Sequence, residues 1–190
     1  NKEIIYHILE HLKKYKLENI ILATGYKSEL FKKIKLKPLS IKIVKSGVNK
    51  DIIERIRSIS DNENHYFLIC YGDTIVNINI NQLIDFHKKY INKIIFSVHK
   101  LKSQFGVLKI KNSKVLHFKE KPDFDYYFNI GYFLFDKEKL KLIKKFKTFK
   151  GFLESNYAKK NLRAFVHDGK HITINTINEL SQAKQNLKKL

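Results

Sequence analysis

Methionine is absent from these 190 residues, and the chain opens on Asn1. Translation starts with methionine, which is normally trimmed only ahead of small residues, so Asn1 is expected to lie inside a longer reading frame. Cysteine is almost as scarce. Cys70 stands alone in the apolar run 65–71, which rules out an intrachain disulfide and denies a structural zinc site its thiolates. A reducing, cytoplasmic setting fits that usage. No apolar run nears the roughly 20 residues that span a bilayer, and the first residues lack the core of a signal peptide, so a soluble protein without membrane partners is expected. Low-complexity tracts, internal repeats and Pro/Gly-rich linkers are missing too. One domain over residues 1–190 is therefore expected, long enough to hide roughly 70% of its unfolded surface.

Acidic residues are few: 18 Asp plus Glu stand against 38 Lys plus Arg, a formal net charge of +20. An excess of that size attracts polyanions such as nucleic acid, acidic lipid or nucleotide phosphates. Nucleic-acid footprints cluster on one face or helix, however, whereas these lysines are scattered along the chain. The spread favours a solvated surface over a nucleic-acid partner.

Apolar residues Ile4, Ile5, Ile8, Leu9 and Leu12 recur at helical spacing and predict an amphipathic helix over residues 1–16. Residues 19–24 follow as a short apolar run closed by Gly25, the pattern of a buried parallel strand. Helix, strand, helix, strand and helix are then predicted over 27–34, 40–44, 51–59, 66–71 and 81–90, with Asn79 as a candidate cap for the last. Such alternation implies an α/β fold with a parallel sheet flanked by helices. Beyond it, strand-like segments at 93–99, 105–110, 114–119 and 127–135 succeed one another without helices and predict a mixed or antiparallel extension. Helices at 137–145 and 151–160, strands at 161–167 and 170–175, and a terminal helix from Thr176 complete the expectation.

Ligands of open parallel sheets lie beyond the C-terminal strand ends. Residues 66–73 fit that geometry, since an apolar strand runs into Gly72, where backbone can approach a ligand, and then into Asp73. A carboxylate there can hold magnesium against phosphate oxygens; on spacing alone Gly72-Asp73 serves equally well as a plain turn. Cys70, inside the strand, reads as an inert core residue. His7, His11, His65, His87, His99, His117, His167 and His171 show no metal-ligand spacing, and most are expected at the surface or at pocket edges.

Tyr71-Gly72-Asp73, Ile78-Asn79-Ile80, Leu83-Ile84-Asp85-Phe86-His87, Phe105-Gly106-Val107-Leu108 and Phe118-Lys119-Glu120-Lys121-Pro122 arrive in one order. So do residues 6–9, 21–27, Asn129 with Gly131-Tyr132-Phe133, and His167-Asp168-Gly169 ahead of Asn175-Thr176. In that order the chain resembles the sugar-phosphate nucleotidyltransferases over nearly its whole length, and in its variant forms it looks most like the glucose-1-phosphate cytidylyltransferases. The resemblance implies a Rossmann-like nucleotidyltransferase fold with a mainly parallel central sheet. It also implies Mg2+-dependent transfer of a nucleotidyl group, CMP from CTP being favoured, onto a phosphorylated small molecule used in bacterial surface-polysaccharide synthesis. A sugar 1-phosphate is the first acceptor it suggests, with phosphoglutamine or phosphocholine next; a homo-oligomer is compatible with it.

By that resemblance, Asp73 would be the metal ligand and Lys121 would contact the acceptor phosphate. Glu120, Asn129, Gly131, Gly106, Tyr71 and Gly72 would line the acceptor pocket, Gly25, Gly47 and Arg55 would approach the nucleotide, and Asn175 would take the second metal position. Four departures stand out. The family's glycine-rich loop after its first strand is missing, which should leave neighbouring strand edges unpaired unless another element, or more of a longer protein, fills the gap. Asn175 replaces an Asp and carries no charge for a metal. The nucleotide-approaching Thr and paired glycines of the cytidylyltransferases align with Ile52, Ile53 and Glu54, and the family's Trp after the His-Gly segment gives way to His171 or a neighbour.

Overall fold

Alternation of apolar side chains along a few strands builds this fold. A computed structural model of the chain describes residues 2–59 and 65–186. Its longest strand, β8 (Asp123–Asp136), pairs antiparallel with β3 (Tyr66–Cys70) on one edge and with β5 (Ile94–Lys102) on the other, while β5 also pairs parallel with β9 (Leu162–Val166). Ile130, Tyr132 and Leu134 of β8 enter one core with Leu68 and Cys70 of β3 and Ile95 of β5. The intervening Phe133 and Phe135 enter a second core with Phe67, Ile69, Ile94 and Phe96. Period-two alternation thus feeds both faces of one sheet.

Helices cover both faces. α1 (Ile4–Lys14) and α3 (Ile80–Lys89) bury Ile8, Leu12, Ile80 and Leu83 in the first core. α2 (Ile52–Ser58), α4 (Lys137–Ile143), α5 (Phe149–Glu154) and α6 (Asn156–Asn161) close the second with Ile53, Ile56, Leu140, Ile143, Phe152 and Ala158. Their starts are set by side-chain caps. Asp51 accepts from Ile53 N at 2.8 Å, Asn79 from Gln82 N at 3.1 Å, Asp136 from Lys139 N at 2.8 Å, Thr148 from Gly151 N at 3.0 Å and Ser155 from Ala158 N at 3.1 Å. Ser155, extended at ψ 154°, breaks the single helix expected over 151–160 into α5 and α6. The helix expected over 27–34 is a six-residue 3-10 helix, Ser28–Lys33, whose preceding residue Lys27 is left-handed and offers no side-chain cap.

β1 (Asn19–Thr24) and β2 (Ser40–Lys45) form a separate parallel pair. Among the described residues β1 and β3 each keep one unpaired edge, as the missing strand implied. The expectation that residues 19–24 form a buried strand is accordingly corrected, since Ile20 to Ala23 are half-buried, as are Phe67 to Cys70 of β3. An apolar cavity of about 190 Å³ lies along β3, lined by Leu17, Leu68, Ile80, Ile84 and Leu134. Cohesion between the two sheets comes from packing. α2 lies against β1 while its Ile53 and Ile56 pack with Phe67 and Ile69, and Ile20 shares the first core with Leu68.

The expected antiparallel extension is present as the hairpin β6 (Val107–Lys111) and β7 (Lys114–Lys119). An unexpected three-residue strand, β4 (Thr74–Val76), pairs with β10 (His171–Thr173). α7 (Ile177–Asn186) ends the described chain, and no helix among the described residues is long and apolar enough to cross a membrane.

Phe133, 2% exposed, packs against the rings of Phe96 at 4.3 Å, Tyr71 at 5.4 Å and Phe149 at 5.5 Å between centroids. Phe133→Ala is expected to cost about 3–5 kcal/mol of stability, read as a lowered urea midpoint by circular dichroism.

Candidate functional site

Past the end of β3 the chain makes a close approach to β8. Tyr71 N donates to the Gly131 carbonyl at 2.9 Å, and Asn129 Nδ2 donates to the Tyr71 hydroxyl at 3.3 Å. Gly131 N in turn donates to Asn129 Oδ1 at 2.8 Å. Gly131 has φ +80°, and a Cβ on it would fall 2.7 Å from the Tyr71 ring, so a glycine is required twice over. Burial raises the Tyr71 phenol above its usual pKa, the Asn129 bond opposes this, and the charges of Asp73 and Asp51 add to the rise. Tyr71 and Asn129 are therefore a neutral hydrogen-bonding pair near two carboxylates. Among the described residues, its two chain neighbours aside, nothing lies within 4 Å of a Cβ built on Gly72, which leaves that side of the turn open.

Asp73 is half-buried at the β3 tip, where Thr74 Oγ1 donates to its Oδ1 at 2.9 Å. The β4–β10 pairing puts Thr74 opposite Thr173, and Ile174 N donates to the Asp73 carbonyl at 2.9 Å. Asn175 follows at once and is exposed, so the ribbon brings the two expected metal positions together. Glu179 was not singled out from the sequence. It accepts from Asn175 N at 2.6 Å and Thr176 N at 3.0 Å, while its own N donates to Thr176 Oγ1 at 3.2 Å. The Thr-x-x-Glu spacing of a capping box was the signal that could have found it.

Gly25, Gly47 and Arg55 also meet. A Cβ on Gly25 would lie 2.7 Å from the Gly47 carbonyl and 3.2 Å from the Arg55 guanidinium, and Gly47 has φ +101°. Arg55 is held by neutral acceptors, Ser46 Oγ at 2.9 Å and the Val48 carbonyl at 3.1 Å. Among the described residues it pairs with no carboxylate, which leaves its charge available to an anion. These residues follow β1 and β2 or lie on α2, at the strand ends where ligands of parallel sheets bind.

The remaining candidates sit apart. A Cβ on Gly106 would meet the Phe118 ring at 2.6 Å and Glu120 Oε2 at 2.8 Å, so Gly106 and Glu120 are joined at the hairpin base. Lys121 is exposed, with a left-handed φ of 42°. Among the described residues no hydrogen bond or ion pair links Glu120 or Lys121 to Tyr71, Asp73 or Asn129. Roughly 20 Å of extended β8 separates Asp123 from Asn129.

A family model described as nucleotidyl transferase matches residues 1–175. The chain belongs to the nucleotidyl transferase family. It is 24% identical to the glucose-1-phosphate cytidylyltransferase of Salmonella typhimurium over 75% of this chain and 66% of that one. It is 25% identical to the D-glycero-alpha-D-manno-heptose 1-phosphate guanylyltransferase of Aneurinibacillus thermoaerophilus, covering 98% and 86%. The chain thus spans just under two thirds of the length of the Salmonella relative. Among solved structures, HddC from Yersinia pseudotuberculosis complexed with GMP-PN superposes with a TM-score of 0.68 at 17% identity, over 98% of this chain and 86% of that one. That likeness confirms the Rossmann-like nucleotidyltransferase fold; the antiparallel β8 makes its sheet mixed.

The family's metal chemistry has a suitable donor in Asp73. Its Oδ2 takes no hydrogen bond from the described residues, and magnesium is commonly held by one or two carboxylates together with substrate phosphates. Asn175 would offer such a metal a neutral oxygen in place of a carboxylate. Among the described residues no group of three or more His, Cys, Asp and Glu side chains could hold a metal ion without such phosphates.

Of the eight histidines, His65 and His117 are exposed and His7, His11, His99 and His171 half-buried, whereas His87 and His167 are 4% and 8% exposed. His99 packs its ring 4.7 Å from His171 and 6.4 Å from His167, and His167 Nε2 lies 3.1 Å from Asn77 Oδ1. Burial within β3 pushes the Cys70 thiol up to about 12.

Gly131→Ala is expected to cost at least about 2 kcal/mol and to displace Tyr71, whereas Gly72→Ala should stay within about 0.5 kcal/mol, both measured by urea unfolding. Burial lowers the pKa of His11, His87, His167 and His171, and the charge of His99 adds to the fall for the last two. The unfolded chain then binds more protons than the folded one below about pH 6.5, so this stability is complete above that pH and is lost as pH falls toward the lowered folded values. His171→Phe should flatten the decline of the thermal midpoint between about pH 6.5 and 5.

Proposed function

We propose that this chain, read as one nucleotidyltransferase unit, moves a nucleotidyl group from a nucleoside triphosphate onto a phosphorylated acceptor. CTP is the favoured donor and a sugar 1-phosphate the favoured acceptor, for bacterial surface-polysaccharide synthesis in the cytoplasm. The observation that carries this reading is the joining of Gly25, Gly47 and Arg55, which pairs with no carboxylate among the described residues, at the ends of β1 and β2. An acceptor phosphate oxygen attacks the α-phosphorus in line, the bond to the bridging oxygen breaks, and pyrophosphate leaves. Positioning and charge neutralisation dominate such transfers.

On this reading Arg55 and the backbone around Gly25 and Gly47 hold the triphosphate, and Asp73 fixes the metal end of the site with Asn175 beside it. Tyr71, Gly72, Asn129 and Gly131 shape the acceptor side. Gly106, Glu120 and Lys121 reach the acceptor from the hairpin base, with Lys121 on its phosphate. Bound magnesium would neutralise charge on the α-phosphoryl oxygens. The cytidylyltransferase relative supports CTP, and the guanylyltransferase relative makes GTP the competitor to test.

The test is pyrophosphate release by the protein with magnesium, each of the nucleoside triphosphates and a panel of sugar 1-phosphates, phosphoglutamine and phosphocholine. Release is expected with one donor above the rest, and silence in every combination overturns the proposal. Asp73→Asn should lower kcat by roughly 100-fold or more, and Arg55→Ala should mainly raise KM for the triphosphate. Asn175 favours a second reading, a relative that binds triphosphate without turnover; calorimetric binding alongside silent turnover would select it.

A further inference from the structure

Two loops meet where β1 and β2 end, and the residue after the glycine of each is exposed. A Cβ on Gly25 would lie 2.7 Å from the Gly47 carbonyl, so backbone touches backbone there. Tyr26 follows Gly25 and is 71% exposed, and Val48 follows Gly47 and is 58% exposed. Arg55 ties the loops together, because its Nη2 would stand 3.2 Å from the Gly25 Cβ and donates to the Val48 carbonyl at 3.1 Å. Tyr26 is therefore one residue, about 3.8 Å of backbone, beyond the point where the guanidinium touches the chain.

A single exposed tyrosine is ordinary on a protein surface. The turn that holds this one is not. Lys27 has φ 51° and ψ 38°, the left-handed region that favours Gly or Asn, and it takes the cap position of the 3-10 helix, where a lysine side chain has no oxygen to offer. Its carbonyl accepts from Leu30 N at 3.0 Å and the buried Ser28 follows it, so the turn is pinned from the helix side. Neither capping nor backbone preference calls for a lysine there. What its side chain does is stand over the Tyr26 ring, the ammonium 5.2 Å from the centroid. Among the described residues no other ring packs on Tyr26, and its hydroxyl takes no hydrogen bond. One face of the ring thus lies under a cation and the other has no partner.

We infer that the free face of Tyr26 is the platform on which the base of the nucleoside triphosphate stacks, an inference that rests on Arg55 holding the phosphates. A phosphate on Arg55 brings the rest of the nucleotide within reach of the loop that carries the ring. Stacking tolerates every base, since each has a π-face, so Tyr26 contributes affinity and leaves the choice between CTP and GTP to other groups. A ring already ordered by Lys27 gives up little freedom when the base arrives. The ammonium adds positive charge beside an anionic ligand without competing for the stacked face.

Calorimetric titration with CTP, GTP and inorganic tripolyphosphate, each with magnesium, tests the inference, because tripolyphosphate keeps the phosphates and lacks the base. Tyr26→Ala should weaken CTP and GTP by about tenfold or more and leave tripolyphosphate unchanged. Tyr26→Phe, which keeps the ring, should bind all three as the wild type does, whereas Arg55→Ala should weaken all three together. The exposure of Tyr26 keeps the urea midpoint of both its variants at the wild-type value. The inference alone is overturned, with the triphosphate reading left standing, if Tyr26→Ala binds the nucleotides as tightly as the wild type or loses tripolyphosphate in the same proportion. Loss of nucleotide binding in Tyr26→Phe, or a wild type that binds tripolyphosphate but neither nucleotide, overturns it too. If the wild type binds none of the three, or Arg55→Ala weakens none, the triphosphate reading falls and the inference with it.

Discussion

Strand β8 joins the packing of this molecule to its candidate site. Its partners run from Tyr66 opposite Asp136 to Cys70 opposite Tyr132 on one side, and from Ile95 opposite Leu134 to Lys102 opposite Asp123 on the other. Alternate residues of the same strand fill two separate cores. Between them Asn129 and Gly131 turn their polar groups to Tyr71. Register is therefore fixed from both faces at once. A slip of one residue would exchange Phe133 and Tyr132 between cores and carry Asn129 away from the tyrosine.

α2 does for the two sheets what hydrogen bonds do within each. β1 and β2 present the Gly25–Gly47 contact, β3 presents Asp73, and no ladder joins β1 to β3 among the described residues. The buried side of α2, Ile53 and Ile56, packs with β3, while its Arg55 reaches back over the ends of β1 and β2. Asp51 fixes the start of this helix and also accepts from Phe149 N at 2.9 Å, which ties α2 to α5. The relative placement of the arginine and the aspartate thus rests on a short, capped helix and on side-chain packing.

Strand periodicity was legible wherever one segment settles its own structure. Residues 19–24 and 114–119 form strands with the expected bounds, and Asn79 caps α3 as its side chain suggested. Burial along β1 was misjudged, because an apolar run states what a strand prefers and says nothing of whether a neighbour is there to cover it. β4 was missed because three residues carry too little pattern and depend on β10, almost a hundred positions away. The site divided in the same way. The ordered motifs pointed to Asp73, Tyr71, Asn129 and Gly131, and these do converge near the β3 tip. The distance of Lys121 from them could not be read from order alone, because it depends on how far β5 and β8 run on together past the sheet.

Asn175 separates the geometry of the site from its charge. The β4–β10 ribbon sets where residue 175 stands, through Thr74 opposite Thr173 and the Ile174 bond to the Asp73 carbonyl, and none of this depends on the side chain at 175. A neutral amide there leaves backbone placement intact and removes one negative charge from any cation shared with Asp73. Glu179 does not restore that charge freely, because the same oxygen already accepts from two backbone amides at the start of α7. Drawing that carboxylate onto a metal would compete with both bonds and loosen the helix start, a cost on the order of 1 kcal/mol for a lost cap. On the proposed reading the charge of a bound cation would fall chiefly on Asp73 and on the phosphates of the substrate itself, and binding of metal and triphosphate would be coupled more tightly than between two carboxylates.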